Sequence, residues 1–300
     1  MTKDRTRLRL DGRAVLITGA ARGLGAAYAA DCAGRGAELL LTDVDAPELE
    51  EVAQRLRHEG AAVTALPGDV SDPEFVDQLA SEGARLEGTL SGWVNNAGIE
   101  VLQPADQPDI TATRRMVEVN LLGSIYGTAA AARAFTAAGG SIVNVTSGAQ
   151  FGIPHLSVYG ATKGGITSLT LAAAQELAGR SIRVNAVSPV AGTRMSVAGD
   201  VYFSALGGRQ PSSADDLPEP RTCASLVTYL LCDASAAITG QILRFDGRRL
   251  AVVRGLGMDE TNSQVRENWT AEDMAAAFSG ALSASLRTAN FESRLHGRSL

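Results

Sequence analysis

A phenol, an ammonium and a hydroxyl are the side chains whose spacing first suggests chemistry. Tyr159 is followed four positions later by Lys163, and Ser147 comes before both, just after an apolar strand-like run. Positions i and i+4 lie on the same face of a helix, so the ammonium can lie beside the phenol. An unperturbed phenol has a pKa of about 10, and a neighbouring cation lowers that pKa. We therefore predict that Tyr159 exchanges protons near neutral pH with the help of Lys163.

A glycine-rich turn near the N-terminus is the second feature that suggests chemistry. An apolar run at 13–18 ends in GAARGLG, and an alanine-rich helical segment follows. In such a turn the glycines permit a sharp bend, a close approach to a pyrophosphate and tight packing of the helix on the strand. The helix N-terminus adds free N–H groups and a partial positive charge. The spacing is Gly-x-x-x-Gly-x-Gly, not the G-x-G-x-x-G fingerprint. The residues expected to bind the phosphates are Gly19, Arg22, Gly23, Leu24 and Gly25.

Asp43 ends the second predicted strand, where a carboxylate can accept hydrogen bonds from an adenosine ribose. A carboxylate at that place repels a 2′-phosphate, which favours NAD over NADP. Arg22 in the glycine turn favours NADP instead, because a cation there can meet the 2′-phosphate. We give Asp43 more weight, since it would occupy the ribose position directly.

The elements that carry these residues alternate between apolar strands and amphipathic helices. Strands are predicted near 13–18, 38–42, 61–66, 90–94, 141–146, 182–187 and 241–245, with helices between them, the longest at 111–138 and 158–178. This alternation predicts an α/β fold, a Rossmann-like doubly wound parallel sheet of about seven strands with helices on both faces. Residues 207–220 read as a mobile surface loop.

The alternation stops beyond about residue 255. We expect a single catalytic domain over 1–255 and a C-terminal helical extension over 256–300, which packs on the domain or on a partner subunit, or serves as a substrate lid. Thr270 and Asp273 predict the N-cap of a helix within the extension.

Composition excludes several classes of function. The 300 residues carry a formal net charge of −6 and a sequence pI of about 5.2, which argues against a nucleic-acid partner. No apolar run is long enough for a membrane span, and no secretory leader is seen. The three cysteines and three histidines lack metal-ligand spacing, and the cysteines suit a reducing compartment. We expect a cytoplasmic protein without a metal.

Taken together, TGAARGLG, Asp43, GDV at 68–70, NNAG at 95–98, Asn120, Ser147 and YGATK resemble the short-chain dehydrogenase/reductase family of classical type, in order and spacing, over about residues 10–250. The resemblance implies hydride transfer between a nicotinamide cofactor and a carbonyl or alcohol. It also implies a homodimer or homotetramer joined through the helices at 111–138 and 158–178.

The family's roles transfer to individual residues. The resemblance makes Tyr159 the general acid or base and Ser147 the residue that holds the substrate oxygen. Lys163 would lower the pKa of Tyr159 and bind the nicotinamide ribose, and Asn120 would anchor a water in a proton path. The remaining residues implied to contact the cofactor are Asp69, Val70, Asn96, Ala97, Gly98, Pro189, Val190 and Thr193.

The chain departs from the family pattern at two places. The gap between the family's serine and tyrosine is usually one residue longer, so Thr146 competes with Ser147 for the hydroxyl role; we favour Ser147 because VNVT continues the strand. Val190 stands where many members have glycine, and its branched side chain is expected to restrict the nicotinamide ring.

Local similarity extends to the hydroxyacyl-CoA dehydrogenase modules of peroxisomal multifunctional enzymes and their bacterial relatives. It is carried by LRLDGRAVLITGA, NAVSPVAGTRMS and TGQILRFDGRRLAVVRG, and suggests a 3-hydroxyacyl or similar β-keto substrate. The expected function is an NAD(H)-dependent oxidoreductase that interconverts a secondary alcohol and a ketone, with polyketide-like substrates also open. The alternatives are an epimerase that retains its nicotinamide and a dinucleotide-sensing protein without turnover.

Overall fold

The computed structural model describes residues 7–206, 217–254, 265, 270–280 and 282. Contacts divide the chain into two units, Met1–Val253 and Arg254–Leu300. The first unit holds a sheet of eight strands in the order β3-β2-β1-β4-β5-β6-β7-β8. Its strands are β1 Arg13–Thr18, β2 Glu38–Thr42, β3 Val63–Ala65, β4 Thr89–Asn95, β5 Gly140–Val145, β6 Ile182–Pro189, β7 Ile242–Phe245 and β8 Leu250–Val252.

Helices cross between the strands. They are α1 Gly23–Gly34, α2 Ala46–His58, α3 Pro73–Gly83, α4 Ile110–Met116, α5 Gly123–Ala134, α6 Ser157–Glu176, α7 Arg194–Ala205 and α8 Pro220–Leu231. All strand pairs from β3 to β7 are parallel. The predicted Rossmann-like α/β fold is confirmed. The strand order reverses at β1, which lies between β2 and β4 in the sheet. Open α/β sheets bind their ligands at such a switch point.

Both faces of the sheet are covered, as the continuous apolar strands require. Side chains alternate along β1: Val15 and Ile17 belong to one apolar cluster with Tyr28 of α1 and Leu230 of α8. Leu16 belongs to the other cluster, which includes Leu79 of α3, Trp93 of β4 and Ala131 of α5. The two layers hold the carboxyl ends of the strands in register, and these ends carry the motifs.

Three details differ from the sequence-based expectations. An eighth strand, β8, pairs antiparallel with β7, after a turn in which Asp246 Oδ1 accepts from the backbone N–H groups of Arg248 and Arg249 at 2.8 and 2.6 Å. The long helix predicted at 111–138 is α4 and α5 joined by a π-helical segment, Val117–Leu122, and it ends at Ala134. Residues 194–205 form helix α7, which the sequence pattern does not predict; Thr193 and Ser196 cap one another's backbone N–H groups at its start. The predicted loop at 207–220 lies mostly outside the described residues.

In the second unit, helix α9 spans Ala271–Ser279. The predicted N-cap is present: Thr270 Oγ1 accepts from the Asp273 N–H at 3.1 Å, and Asp273 Oδ2 accepts from the Thr270 N–H at 3.1 Å. Within the described part of the chain, no helix is long and apolar enough to cross a membrane.

Candidate active site

One cavity of about 950 Å³ lies at the carboxyl ends of the strands and collects the motifs found in the sequence. It is lined by every predicted site residue except Asn120 and Val190. The predicted residues on its wall are Gly19, Arg22, Gly23, Leu24, Gly25, Asp43, Asp69, Val70, Asn96, Ala97, Gly98, Ser147, Tyr159, Lys163, Pro189 and Thr193. Motifs that are up to 174 positions apart in the sequence therefore share one wall.

The glycine turn leaves room and free donors for a phosphate. Gly19 and Gly23 have φ values of +65° and +53°, which a side chain would strain. A Cβ on Gly25 would stand 2.0 Å from the Gly19 carbonyl oxygen, so α1 packs on the turn at a distance only glycine allows. Arg22, the N-cap of α1, makes no side-chain cap bond, and the first turn has no acidic residue. The free N–H groups of the first turn suit a pyrophosphate.

At the end of β2, Asp43 is held in place from two sides. Its Oδ2 accepts from the Ala21 N–H and its Oδ1 from the Asp45 N–H, each at 3.1 Å. Arg22 forms ion pairs with Asp45 at 3.0 Å and with Glu48 at 2.8 Å. The cation that favoured NADP in the sequence is therefore matched by two carboxylates, and the corner where a ribose would bind is acidic.

The third strand's GDV motif forms the wall beside the ribose corner. Asp69 accepts from the Ser71 N–H at 2.9 Å and pairs with Arg115 at 2.5 Å. Burial alone would raise the pKa of Asp69, but the bonds from Ser71 and Arg115 outweigh it and lower that pKa. Val70 packs on the start of α5, where a Cβ on Gly123 would stand 2.9 Å from Val70 Cγ2.

The NNAG motif joins β4 to the glycine turn. Thr18 Oγ1 accepts from the Asn96 and Ala97 N–H groups at 3.0 Å each. Asn96 Nδ2 donates to the Thr18 and Gly19 carbonyl oxygens at 3.0 and 2.9 Å. These bonds fix the loop after β4 against the loop after β1, so the floor of the cavity is a single hydrogen-bonded unit.

Asn120 lies in the π-helical segment and is fully buried. Its Oδ1 accepts from the Ile99 N–H at 2.8 Å, and its Nδ2 donates to the Ile99 carbonyl at 2.9 Å. The amide therefore holds the chain just after NNAG, and its expected role at a water stays a prediction. A Cβ on Gly98 would stand 3.3 Å from Asn120 Oδ1 and 3.5 Å from Lys163 Nζ, so Asn120 and Lys163 are close neighbours.

Tyr159, Lys163 and Ser147 lie together on the cavity wall. Lys163 Nζ lies 5.6 Å from the centroid of the Tyr159 ring and donates to the Val145 carbonyl at 2.8 Å. Ser147 lies near the Tyr159 hydroxyl and lowers the tyrosine pKa. Thr146 is buried, and its hydroxyl donates to the Lys163 carbonyl at 2.9 Å, within the backbone of α6. Of the two hydroxyls, the one at Ser147 is directed toward Tyr159.

The pKa of Tyr159 departs from the sequence-based expectation. Burial of a phenol that is only 6% exposed raises this pKa, the charge of Glu100 raises it further, and Ser147 lowers it. Burial also lowers the pKa of Lys163 to about 8, against the opposing effect of Glu100. The expectation that Lys163 brings Tyr159 toward neutral titration is wrong for the protein alone, because desolvation of the phenol is the larger effect.

Val190 does not lie on the cavity wall. Its N–H donates to the Phe245 carbonyl at 2.9 Å, and its carbonyl accepts from the Cys223 thiol at 3.3 Å. These bonds fix it between β7 and α8, while Ala191 and Gly192 line the cavity instead. The sequence could not show this, because the register of the loop after β6 is set by its partner strand.

Several charged or α7 residues on the wall were not predicted from the sequence. They are Glu100, Arg115 and the first turn of α7 from Arg194 to Ala198. Burial raises the pKa of Glu100 to about 7, and Lys163 opposes this rise. The available signal was a single acidic residue in the otherwise apolar run that follows NNAG.

Comparisons with known proteins agree with this geometry. A family model described as enoyl-(acyl carrier protein) reductase matches residues 19–247. The cis-4-hydroxycyclohexanecarboxylate dehydrogenase of Sinomonas cyclohexanicum is 39% identical over 247 residues, which cover 80% of this chain and 97% of that protein. The galactitol 2-dehydrogenase (L-tagatose-forming) of Cereibacter sphaeroides is 36% identical over 252 residues, which cover 81% of this chain and 97% of that protein.

Among solved structures, a short chain dehydrogenase from Mycobacterium avium superimposes with a TM-score of 0.80 at 25% identity. The match covers 93% of this chain and 97% of that one. The named relatives are dehydrogenases of hydroxylated compounds, and dehydrogenases of this type use NAD or NADP. The chain is therefore an oxidoreductase, and it belongs to the short-chain dehydrogenase/reductase family.

Proposed function

We propose that the protein is an NAD-dependent oxidoreductase that interconverts a secondary alcohol and a ketone, with Tyr159 as the general acid or base. One observation carries the proposal: the Ser147, Tyr159 and Lys163 group shares a cavity with the glycine turn and Asp43. The proton-handling groups therefore lie on the same wall as the groups that suit a dinucleotide.

The preference for NAD rests on the ribose corner. Asp43 is available on the cavity wall, and Asp45 and Glu48 flank it with further negative charge. A 2′-phosphate would meet these carboxylates, and the neighbouring Arg22 is already paired with two of them. Two ribose hydroxyls, in contrast, can donate to Asp43.

The chain's own residues would act as follows. Bound NAD supplies the hydride acceptor for alcohol oxidation, and NADH the donor for carbonyl reduction. Ser147 donates a hydrogen bond to the substrate oxygen and stabilises charge that develops there. In reduction Tyr159 donates the proton that becomes the alcohol proton, and a raised pKa keeps that proton in place until it is needed. In oxidation the Tyr159 phenolate, which Lys163 stabilises, takes up the alcohol proton and becomes the neutral phenol.

The substrate is best described as a secondary alcohol or ketone without a coenzyme A carrier. Three arginines line the cavity, and each is paired: Arg22 with Asp45 and Glu48, Arg115 with Asp69, and Arg194 with Glu48. A CoA phosphate would have to displace one of these pairs. The local similarity to hydroxyacyl-CoA modules therefore receives no support from the charges on the described wall.

The decisive test is Tyr159→Phe. Because the phenol supplies or removes the proton, we expect kcat with NADH and a cyclic ketone to fall at least about a thousand-fold, with NADH binding by fluorescence retained within about threefold. Tyr126→Phe is the matched control, because Tyr126 lies on α5 away from the cavity. Full activity in Tyr159→Phe would refute the mechanism. A wild-type protein that binds NADH but turns over no alcohol or ketone would favour the sensing alternative.

Self-association is a second part of the proposal. Ile125 on α5 and Leu171 on α6 are apolar and 36% and 38% exposed. Both helices are those through which the family resemblance implies a homodimer or tetramer. Analytical ultracentrifugation of the wild type and of Leu171→Glu tests this: we expect the charge to lower the association state, and a monomeric wild type would refute the proposal.

A further inference from the structure

Glu100 is a carboxylate on the cavity wall that neither the phosphate site nor the proton-transfer group uses. It follows NNAG directly after Ile99, whose backbone is held on both sides by the Asn120 amide. Across the cavity it faces α7, where a Cβ on Gly199 would stand 3.9 Å from Glu100 Oε1. Its charge acts on both Tyr159 and Lys163. The carboxylate is therefore placed between the proton-handling residues and α7.

Among the described residues this carboxylate has no ion-pair or hydrogen-bond partner. It takes part in none of their ion pairs within 4.0 Å and in none of their hydrogen bonds. Lys163, whose charge lowers the pKa of Glu100, donates its ammonium hydrogen bond to the Val145 carbonyl. A half-buried carboxylate without a partner is costly, so it either takes a proton or bonds a ligand.

The neighbouring wall offers few alternatives for a polar substrate group. The first turn of α7 presents Met195, Val197 and Ala198 to the cavity, and all three are apolar. Ser196 also lines it, but its hydroxyl donates to the Thr193 carbonyl at 2.9 Å and accepts from the Thr193 N–H at 2.7 Å. A substrate that extends from Tyr159 toward α7 therefore meets apolar side chains and one open carboxylate.

We propose that Glu100 recognises the substrate by accepting a hydrogen bond from a second hydroxyl group, so that the enzyme selects neutral diols and hydroxyketones and rejects alcohols that carry a carboxylate. This inference rests on the proposed function and adds the substrate class. It makes Glu100 a specificity residue.

The charges around Glu100 favour a hydroxyl over an ammonium as the bound group. A substrate ammonium bonded to Glu100 would be repelled by the Lys163 ammonium, whose charge already acts on Glu100. A substrate carboxylate would face Glu100 with like charge, and the three arginines of the described wall are already paired with carboxylates. A neutral hydroxyl meets neither repulsion and gains a hydrogen bond to a charged acceptor.

The test compares substrates that share one ring. NAD reduction is followed with cyclohexanol, the cyclohexane-1,2-, 1,3- and 1,4-diols, and a cyclohexanol that carries a carboxylate, and kcat/KM is measured for each. A hydrogen bond to a charged acceptor predicts that the best diol exceeds cyclohexanol at least about tenfold. In Glu100→Gln this ratio falls about tenfold, and the carboxylate compound gains about tenfold relative to cyclohexanol.

Glu87→Gln is the matched control, because Glu87 is exposed and lies outside the cavity; its ratios should equal those of the wild type. NADH binding by each variant verifies that the cavity is intact. Turnover of the alcohols with ratios unchanged in Glu100→Gln would overturn this inference and leave the proposed function standing. No turnover of any alcohol or ketone by the wild type would overturn the proposed function, and the inference with it.

Discussion

Replacing Glu100 with glutamine should change the pH dependence of stability, independently of any activity. Burial raises the pKa of Glu100 from 4.5 to about 7. Below about pH 4.5 the side chain is protonated in both the folded and the unfolded chain and contributes no difference. Between about pH 4.5 and 7 only the unfolded chain releases the proton, so folding stability falls as pH rises. Above about pH 7 the carboxyl group is ionised in both the folded and the unfolded chain, and the full loss of folding stability persists.

The size of this effect follows from the same two pKa values. Each tenfold change in ionisation is worth about 1.4 kcal/mol, so a rise from 4.5 to about 7 costs the folded state about 3 kcal/mol at high pH. Between about pH 5.5 and pH 8 the loss amounts to about 2 kcal/mol. Water in the cavity screens part of the charge, which makes these figures upper values.

Urea unfolding, followed by far-ultraviolet circular dichroism at about pH 5.5 and pH 8, measures this loss of folding stability. The glutamine in Glu100→Gln cannot ionise. The free energy of unfolding of this variant, relative to the wild type, should therefore be about 2 kcal/mol higher at about pH 8 than at about pH 5.5. Glu87→Gln, with its exposed side chain, should show no such change between the two pH values. An equal stability difference for Glu100→Gln at both pH values would refute the assignment of a buried, uncompensated carboxylate.

Three further predictions concern the cofactor and the catalytic hydroxyl. Gly25→Ala forces a backbone clash and should weaken NADH binding at least about tenfold by fluorescence titration, whereas Gly34→Ala, at the open end of the same helix, should bind NADH as the wild type does. Asp43→Ala should shift the ratio of kcat/KM for NAD over NADP toward NADP at least about tenfold, and an unchanged ratio would contradict the ribose role. Ser147→Ala should lower kcat about a hundred-fold. Thr146→Val should instead lower the urea midpoint, through a lost buried hydrogen bond, with a smaller change in kcat.

Much of the fold follows from local patterns. Each βα unit carries its own apolar strand and its own helix start, so β1, α1 and Asp43 at the end of β2 can be placed without knowledge of the rest of the chain. Because parallel strands end at the same edge, motifs at successive strand ends must meet there. Local patterns do not predict strand β8 or helix α7. The three-residue strand β8 forms because it pairs with β7. Helix α7 begins at a capping box and has no long apolar face that a sequence pattern would show.

The chemistry of the site was less accessible than its location. Helical spacing correctly places Lys163 beside Tyr159, but spacing contains no information about burial, and burial controls the pKa of both residues. Val190 was misplaced because its loop is bonded to β7. Glu100 becomes notable only when the structure places it on the cavity wall without an ion-pair or hydrogen-bond partner among the described residues. These properties depend on tertiary packing, which a linear pattern does not record.

Glu100 also connects substrate recognition to proton transfer. Its negative charge raises the pKa of Tyr159, and a raised pKa opposes the loss of the phenolic proton that alcohol oxidation requires. A substrate hydroxyl bonded to Glu100 would disperse part of that charge and so lower the barrier to forming the phenolate. The advantage of a diol over cyclohexanol should therefore appear in kcat as well as in KM, by at least about threefold in kcat near pH 8, where Glu100 is ionised. In Glu100→Gln the kcat advantage should disappear. If the wild-type advantage lies wholly in KM, Glu100 binds the hydroxyl without influencing Tyr159.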